Sequence, residues 1–350
     1  MGNQPGLNAE ASAALAGRIK SQAYALGFDL CGIAALGEAR SYPEYQKWLS
    51  LGRAGQMAYM AAYQEQRHDQ RLVHPGATSA IVVAMNYGGR QPPGPIARYA
   101  RGDDYHHVIR QRLRELQRWL EGEVGHSISA RPYVDTAPIL ERDLGHQAGL
   151  GWVGKNTNLI HPRTGSFFFL GSLFVSLELP PDQPFDADHC GTCTRCIDAC
   201  PTGAIVAPRE LDARLCVSYL TIEQRGAIPE PLRPAIGELL YGCDICQDVC
   251  PWNVKFSSEP TVTELAPRPE NVVVDPAQFL DDVRVDYARR TQGSAMQRAH
   301  REGLARNAAV AIGNRARGSD EPALDRAQHD EHALVREHAT WARNRLHPPE

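Results

Sequence analysis

Cysteine spacing constrains this chain more than any other feature. Eight of its nine cysteines lie between Cys190 and Cys250. The first group has the bacterial ferredoxin spacing C-x2-C-x2-C-x3-C-P, at Cys190, Cys193, Cys196 and Cys200. A second, incomplete run follows at Cys243, Cys246 and Cys250, and Leu240 stands where a further cysteine would complete it. With Cys216 included, the eight thiolates form two sets of four, which predicts two [4Fe–4S] clusters.

The spacing also indicates which thiolates share a cluster, because the fourth cysteine of such a run binds the other cluster. One predicted set is Cys190, Cys193, Cys196 and Cys250, and the other is Cys200, Cys216, Cys243 and Cys246. Structural zinc and disulfides are the alternatives. Zinc usually takes two C-x2-C pairs or a mixture of cysteine and histidine, which fits these runs poorly. Cys31 stands alone in an apolar stretch and is expected to be a small buried hydrophobe.

Length and composition set broad limits on the function. The 350 residues suffice for two or three domains. No apolar run reaches the ~18 residues of a membrane span, so no membrane partner is expected. The first residues, 1–6, resemble neither a secretory signal nor a myristoylation motif, and reduced thiolates favour the cytoplasm. The net charge of -4 does not indicate a nucleic-acid partner, although local basic patches decide that question.

We expect an α+β fold in three parts: an α/β domain over 1–185, a ferredoxin-like domain over 186–256, and a linker with a helical tail over 257–350. In the first part, apolar runs predict strands over 28–35, 79–86 and 128–134. A longer strand over 167–179 is expected to be interrupted at Gly171. Asp104 is suited to cap an amphipathic helix, and helices are also predicted over 11–24 and around 140–148.

The tail contains a weak internal repeat at an offset of 30 residues. Residues 304–315 and 334–345 share Leu, Arg, Ala and Asn at matched positions, including the pairs Arg306/Arg336 and Arg315/Arg345. Two interpretations stay open. The segments form a short helical array of the HEAT type, or they are two Ala/Arg-rich helices that are alike only in composition.

Outside the cysteines, the segment after the predicted strand 128–134 draws attention. Asp135 follows this strand and precedes a turn with Pro138, and strand ends facing a crevice are common active-site positions. A carboxylic acid there can donate a proton if apolar neighbours raise its pKa. The alternative is a turn or capping aspartate with Thr136 as its partner. His106 and His107 begin a predicted helix, where either is a candidate ligand or acid, although a surface histidine is the commoner case.

The glycine-rich stretch 149–158 lets the backbone approach a phosphate or a large cofactor closely, but it is neither a P-loop nor a G-x-G-x-x-G turn. Taken in order, the motifs V-D-T at 134–136, A-G-L-G-W-V-G-K-N at 148–156 and the two cysteine runs resemble the epoxyqueuosine reductase family. The likeness extends from about Gly27 to the C-terminus.

The resemblance implies a cobalamin held base-off between the N-terminal and ferredoxin-like domains. It also implies a reaction, the reduction of epoxyqueuosine to queuosine at the wobble position of the tRNA anticodon. Electrons would pass from the clusters to the cobalamin, and an external low-potential donor would supply them. A HEAT-like tail would help to hold the tRNA, and Arg306 and Arg336 are then predicted to contribute to that binding. The enzyme is expected to be a monomer.

The family's motifs also imply roles for individual residues. Asp135 would donate the proton and contact the cofactor. The other residues matching cobalamin-contacting motifs are Arg67, Lys155, Asn156, Thr157, Asn158, His161, Gly165, Ser166, Ser218 and Asp244.

Three rival interpretations were weighed. A reductive dehalogenase would combine the same cofactors to act on a small molecule, but such enzymes usually carry a twin-arginine export signal and need no helical tail. A plain ferredoxin-type electron carrier would leave 185 N-terminal residues without a function. The tail could instead be a protein-interaction scaffold, because solvated helix faces are arginine-rich as well.

Overall fold

A four-stranded antiparallel sheet lies at the centre of the N-terminal part of the computed structural model, which describes residues 8–89 and 91–347. The expectation about a signal in residues 1–6 lies outside the described residues. This part contains α1 (Ala9–Ala25), β1 (Leu30–Ala35), α2 (Tyr42–Ser50), α3 (Ala58–Ala61), α4 (Gln64–His68), β2 (Ser79–Asn86), α5 (Tyr105–Val124), β3 (Ala130–Tyr133), α6 (Glu141–Gln147), β4 (Trp152–Val153), β5 (Leu159–Ile160) and β6 (Phe168–Val175).

The sheet has the strand order β1-β2-β6-β3, and β2 is buried along its whole length. Because alternate side chains of a strand point to opposite faces, Ile81 and Val83 pack on the side of α1 and α5, while Val82 and Ala84 pack on the side of α6. A strand covered on both faces has to be apolar throughout, which explains the continuous apolar run from 79 to 86.

The sheet topology brings three strand ends together. Both β2 and β3 pair antiparallel with β6, so they run in the same direction and finish at the same edge of the sheet, where β6 begins. Tyr87 follows β2, Val134 and Asp135 follow β3, and Phe168 opens β6. The chain thus gathers polar and aromatic residues from distant parts of the sequence at one edge.

The prediction that Gly171 interrupts its strand is wrong. β6 is continuous, and Gly171 pairs with Val83 in the sheet. A Cβ at this position would come within 2.7 Å of Ile109 Cγ2 and 3.3 Å of Leu113 Cδ1. The glycine therefore allows α5 to pack closely on the sheet. The other strand and helix predictions of this part are confirmed to within two to four residues, except that β6 ends early, at Val175. The predicted cap is also confirmed, because Asp104 accepts a hydrogen bond from the His106 amide at the start of α5.

The cysteine-rich part folds from two similar turns. It contains α7 (Arg195–Asp198), β7 (Ile205–Ala207), β8 (Glu210–Leu211), α8 (Val217–Ile222), α9 (Arg233–Ile236), α10 (Ile245–Asp248) and α11 (Pro251–Phe256). Each cysteine run forms a four-residue helix, α7 or α10, and the two helices contact each other. The equal spacing of the two runs explains why they adopt the same local structure.

Four helices form the tail: α12 (Pro276–Thr291), α13 (His300–Arg315), α14 (Glu321–Ala327) and α15 (Ala333–Leu346). α13 packs on both α12 and α15, and α14 packs on α15. Their core continues into the rest of the molecule, because Ile96 and Tyr241 lie in the same apolar cluster as Leu280 and Leu304. Within the described residues, none of the helices combines the length and apolar character that crossing a bilayer requires.

The repeated arginines of the tail have structural roles. Arg306 is only 1% exposed, and its guanidinium donates to the backbone carbonyls of Leu220, Gln224 and Gly226. A side chain in this position cannot reach an RNA phosphate, so the prediction that Arg306 binds tRNA is wrong. Arg336 is exposed, yet it donates to the carbonyls of Asp330 and Glu331 in its own turn.

Replacing Arg306 should therefore destabilise the fold. Arg306→Met leaves several buried carbonyls without a donor, each worth about 1–3 kcal/mol, and we expect the free energy of unfolding to fall by at least about 3 kcal/mol. Urea unfolding measures this change. Arg336→Met is the matched control from the second repeat and should cost less than about 1 kcal/mol. Equal losses in the two variants would contradict the structural role of Arg306.

Candidate active site and cysteine centres

Asp135 is held in an unusual backbone conformation at the edge of the sheet. Its φ of 58° lies in the left-handed region, and its amide donates to Glu141 Oε1 at 2.7 Å. The carboxylate Oδ2 accepts a hydrogen bond from the Tyr105 hydroxyl at 2.9 Å and lies 3.3 Å from His106 Nε2. Thr136 instead donates to the Val134 carbonyl, so Asp135 is not a capping residue with Thr136 as its partner. Non-glycine residues in this conformation cluster at functional sites.

His106 carries a proton beside this carboxylate. Its Nδ1 lies 2.7 Å from Asp104 Oδ1, so the ring sits between two acidic side chains. Burial disfavours the protonated ring, but the hydrogen bonds and charges of Asp104 and Asp135 outweigh burial and raise the pKa of His106 to about 9. His106 is thus positively charged at neutral pH and is a proton donor within reach of Asp135. The sequence-based preference for a surface histidine is wrong at this position.

The pKa values of the two carboxyl groups of the site, Asp135 and Glu141, shift in opposite directions. Partial desolvation by the surrounding side chains tends to raise the pKa of Asp135, but hydrogen bonds from His106 and Tyr105 and the charge of Arg142 hold it below its ordinary value. Burial and the neighbouring Asp135 carboxylate raise the pKa of Glu141. The sequence suggested that Asp135 could donate a proton if apolar neighbours raised its pKa. The structure does not meet this condition, because the neighbours of Asp135 lower its pKa. Opposite shifts in adjacent titratable groups are typical of acid–base sites.

These groups line an open cavity of about 210 Å³ at the edge of the sheet. Asp135 faces the opening, and 59% of its side-chain surface is exposed. Tyr105 stacks on Phe169 with ring centroids 4.1 Å apart, which forms an aromatic wall. The other lining residues are Tyr87, Tyr99, Glu141, Arg142, Asn158, Leu159, Ser166, Phe168 and Leu170. The cavity combines a flat apolar surface with hydroxyl, amide and charged groups at one side.

Of the predicted cofactor-binding residues, Asn158 and Ser166 share this cavity with Asp135. Ser166 is fixed by Asn253, whose side-chain oxygen accepts from the Ser166 amide at 2.6 Å, and by Gln247, which accepts from its hydroxyl at 2.9 Å. Gln247 directly follows Cys246. One layer of side chains thus separates the cavity from the second cysteine run.

Other predicted residues shape the neighbouring loops. Lys155 donates to the carbonyls of Gly191 and Cys193, beside the first cysteine run, and it lines a different cavity together with Asn156. Thr157 has a φ of 67° in the turn between β4 and β5. His161 and Gly165 pair with each other across a tight turn that leads to Ser166. The structure therefore does not bring Lys155 into the cavity of Asp135.

Arg67, Ser218 and Asp244 do not line this cavity. Arg67 is 7% exposed, and its Nε atom has no hydrogen-bond partner among the described residues. Asp244 is buried and accepts from both the amide and the guanidinium of Arg98. Ser218 is half-buried in α8, next to Cys216.

None of the nine cysteines forms a disulfide, and eight of them form two neighbouring groups. Cys190, Cys193, Cys196 and Cys250 line a cavity of about 310 Å³. Burial raises the pKa of Cys243 to about 12, and nearby Cys216 and Cys200 add to the shift. Cys246 lies close to Cys243 and Cys216, and the charge of Cys196 also raises its pKa. The two groups of cysteines are therefore neighbours. No three candidate ligands in the described residues could hold a single metal ion, but thiolates around a four-iron cube stand further apart.

Sequence reasoning missed three residues of the site. These are Tyr105, at the start of the helix capped by Asp104, and the pair Glu141 and Arg142. Arg142 is exposed and lines the cavity, and it makes no hydrogen bond or ion pair within the described part of the chain. The adjacent Glu141-Arg142 pair, six residues after Asp135, was the available signal, but only the folded turn brings it back to that carboxylate.

The charge of His106 should be visible in stability measurements. Because the folded pKa of about 9 exceeds the ordinary 6.5, the stabilisation by His106 is fully present below pH 6.5 and is lost as pH rises through about 9. The difference in unfolding free energy between wild type and His106→Gln should shrink over this range in urea titrations. His107→Gln, a change at the exposed neighbour, is the control. A pH-independent difference for His106→Gln would rule out the charged pair.

Comparisons with known proteins agree with this geometry. A family described as a 4Fe-4S double cluster binding domain matches residues 189–253, and one described as epoxyqueuosine reductase QueG, DUF1730 matches residues 67–136. An epoxyqueuosine reductase of Xanthomonas campestris is 43% identical over 340 residues, covering 93% of this chain and 95% of the relative. The enzyme of Escherichia coli K12 is 41% identical, with 94% and 88% covered.

Solved structures show the same fold. A crystal structure of selenomethionine-labelled epoxyqueuosine reductase matches with a TM-score of 0.89 and 29% identity over 95% of this chain and 90% of the other. An epoxyqueuosine reductase bound to an epoxyqueuosine-modified tRNA-Tyr stem loop matches with a TM-score of 0.87, at the same identity and coverage. The level of identity over nearly the whole length shows that the chain belongs to the epoxyqueuosine reductase family.

Proposed function

We propose that this chain reduces epoxyqueuosine to queuosine at the wobble position of tRNA anticodons. The observation that carries the proposal is the full-length similarity to epoxyqueuosine reductases, together with a solved relative that holds an epoxyqueuosine-modified tRNA stem loop. Opening an epoxide to an alkene with loss of water consumes two electrons and two protons. The cysteine centres offer a source of the electrons, and the Asp135 cavity offers a source of a proton. Only one layer of side chains separates the two sites.

Two [4Fe–4S] clusters are supported by the double-cluster family that spans both cysteine runs. We propose Cys190, Cys193, Cys196 and Cys250 as the ligands of an outer cluster, and Cys200, Cys216, Cys243 and Cys246 as those of an inner cluster. The close approach of Cys250 to Cys190 and Cys193, and that of Cys243 to Cys216 and Cys200, support this division.

The groups that line the Asp135 cavity are of chemical types suited to binding cobalamin. Asn158 and Ser166 offer amide and hydroxyl groups suited to the amide side chains of the corrin, and Tyr87 and Phe168 offer an apolar face. The cavity of about 210 Å³ is smaller than most ligand sites, so the group would also occupy the open mouth. Arg67, whose Nε has no hydrogen-bond partner among the described residues, is a further proposed contact. Ser218 and the loop residues Lys155, Asn156 and Thr157 lie outside this cavity and are proposed to contact the parts of cobalamin that extend beyond it, with His161, Gly165 and Asp244 as supports. Bound base-off, cobalamin would supply a strongly reducing cobalt centre.

Asp135 is the proposed proton donor to the departing oxygen. Its carboxylate is ionised at neutral pH, so it needs a proton source of its own, and His106 Nε2 lies 3.3 Å away. A proton moved from His106 to Asp135 would be available at the cavity, with Tyr105 holding the carboxylate in place. A Bacillus subtilis relative is known with its catalytic aspartate loop swung out of the active site, which suggests that such loops move.

We further propose that the tail forms a HEAT-like array of two helix pairs, α12 with α13 and α14 with α15, that helps to hold the tRNA. With Arg306 buried, the phosphate contacts must come from exposed cations such as Arg142 at the mouth of the cavity. A wobble base is already unpaired, so presenting it costs less than flipping a base from a duplex. A cytoplasmic monomer supplied by an external low-potential electron donor would complete the system.

The proton-donor role predicts a selective loss in Asp135→Asn. The amide is nearly isosteric and should keep both clusters and bound cobalamin, while turnover falls by 10²-fold or more because general acid catalysis contributes about 10²–10⁴-fold. Nucleoside analysis of an epoxyqueuosine-modified stem loop measures turnover, and optical and EPR spectra check the cofactors. Asp286→Asn, a change at an exposed tail residue, is the control. Full activity in Asp135→Asn would remove Asp135 from the mechanism.

The ligand assignment predicts that Cys216→Ser loses one cluster and keeps the other. If Cys216 is the fourth ligand of the inner cluster, its removal should lower the iron and sulfide content by about half and leave the EPR signal of the outer cluster. Cys31→Ser is the control, because Cys31 is buried in the N-terminal core far from either run and should keep all the iron. Unchanged iron content in Cys216→Ser would exclude Cys216 as a ligand.

A further inference from the structure

The outer cysteine group lies beneath an exposed, cationic surface. Gly191, Thr192, Thr194 and Arg195, which surround these thiols in sequence, are exposed. The cavity of this group is lined by Lys155, Arg195, Lys255 and His189, and among the described residues no carboxylate lines it. Two of the four lysines in the chain thus lie at this one site.

Of the nearby carboxylates, Asp188 pairs with Arg209 at 2.6 Å. Asp198 accepts a hydrogen bond from the neutral Thr194 hydroxyl at 2.7 Å and does not line the cavity. Arg195 and Lys255, by contrast, form no ion pair within the described residues, and Lys255 only lies over the ring of Phe256. Their charges therefore face solvent and are available to a partner.

An apolar patch adjoins these cations. Trp252 and Phe256, one helical turn apart in α11, stack with ring centroids 5.7 Å apart and line the cavity together with Lys255. Val254 of the same helix is 71% exposed. An apolar, aromatic centre with a charged rim is the usual anatomy of a protein interface. Arginine and tryptophan are also the residues most often found where binding energy concentrates.

Among the described residues, those around Cys216, Cys243 and Cys246 of the inner group are less exposed, whereas Pro201 and Gly203 after Cys200 are exposed. Val217, Tyr219 and Leu220 after Cys216 are buried, as are Asp244 and Gln247 beside Cys243 and Cys246. A protein that delivers electrons can approach the outer group more closely than the inner one.

We propose that the face formed by Arg195, Trp252, Lys255 and Phe256 is the docking site for a small acidic flavin-containing protein that carries single electrons at low potential. The chain as a whole is weakly negative, with a net charge of -4, so attraction of an acidic partner has to come from a local cationic face. Complementary charges would orient the carrier and accelerate its encounter with the thiols below.

The electron count suits this arrangement. In each encounter the carrier's anionic flavin hydroquinone loses one electron, becomes the neutral semiquinone and reduces the outer centre by one electron. Two encounters supply the two electrons that one epoxide consumes. The inference rests on the proposed function, because electron transfer requires that the outer thiols hold a cluster. Binding of the carrier to the face can be measured without turnover.

Charge reversal at the two free cations tests the docking site. In the holoenzyme, Arg195→Glu combined with Lys255→Glu should weaken the binding of a purified acidic flavodoxin by about tenfold or more at low salt, because like charges then oppose each other. The salt dependence of binding should flatten as well. Isothermal titration calorimetry over a range of ionic strengths measures both, and stopped-flow oxidation of the flavodoxin hydroquinone reports the transfer rate.

Arg289→Glu combined with Arg317→Glu is the matched control. It changes the net charge equally at exposed tail positions, and Arg289 is 81% exposed. This control should keep the wild-type affinity. A neutral deazaflavin radical should reduce both double variants as fast as wild type, which separates docking from damage to the cluster. Wild-type affinity in Arg195→Glu/Lys255→Glu, or equal weakening in the control, would overturn the inference. A wild-type protein that holds no clusters would instead refute the proposed function.

Discussion

The pairing of β2 and β3 with the same strand, β6, is the constraint on which the site depends. It makes two strands of like direction end at one edge, so Tyr87 and Asp135 meet although 48 residues separate them. Gly171 lets α5 lie close enough to the sheet for the first residue of that helix, Tyr105, to stack on Phe169 and reach Asp135. The candidate acid is thus held by the packing of a core strand, and a change far from the cavity would move it.

Electrostatics then divide the roles of the acidic residues around the cavity. Asp104 and Asp135 keep His106 protonated, and in return His106 keeps Asp135 ionised. Glu141 does not share that ionisation, because it is half-buried against the Asp135 carboxylate and its pKa rises. An aspartate that is ionised at rest can bind its proton only when a ligand or a loop movement changes its surroundings. The left-handed backbone at Asp135 stores strain in the loop that would undergo such a movement.

What could be predicted from the sequence depended on the range of the interactions. The buried strand at 79–86 and the cap at Asp104 follow from residues within one element, and the patterns predicted them correctly. The approach of Glu141 and Arg142 to Asp135 depends on a turn whose shape has no spacing rule. Arg306 was misjudged for a related reason. An arginine on an Ala-rich helix looks solvated until the carbonyls of a segment more than 80 residues earlier surround it.

The cavity and the outer cysteine group are connected through a single short helix, α11. Asn253 points inward from this helix and fixes Ser166 at the wall of the cavity, while the exposed Lys255 lies beside the outer thiols. Cys250 precedes the helix and belongs to the outer group. The same six-residue helix therefore positions both a wall of the cavity and part of the outer group, so a substitution that shifts this helix would disturb both sites.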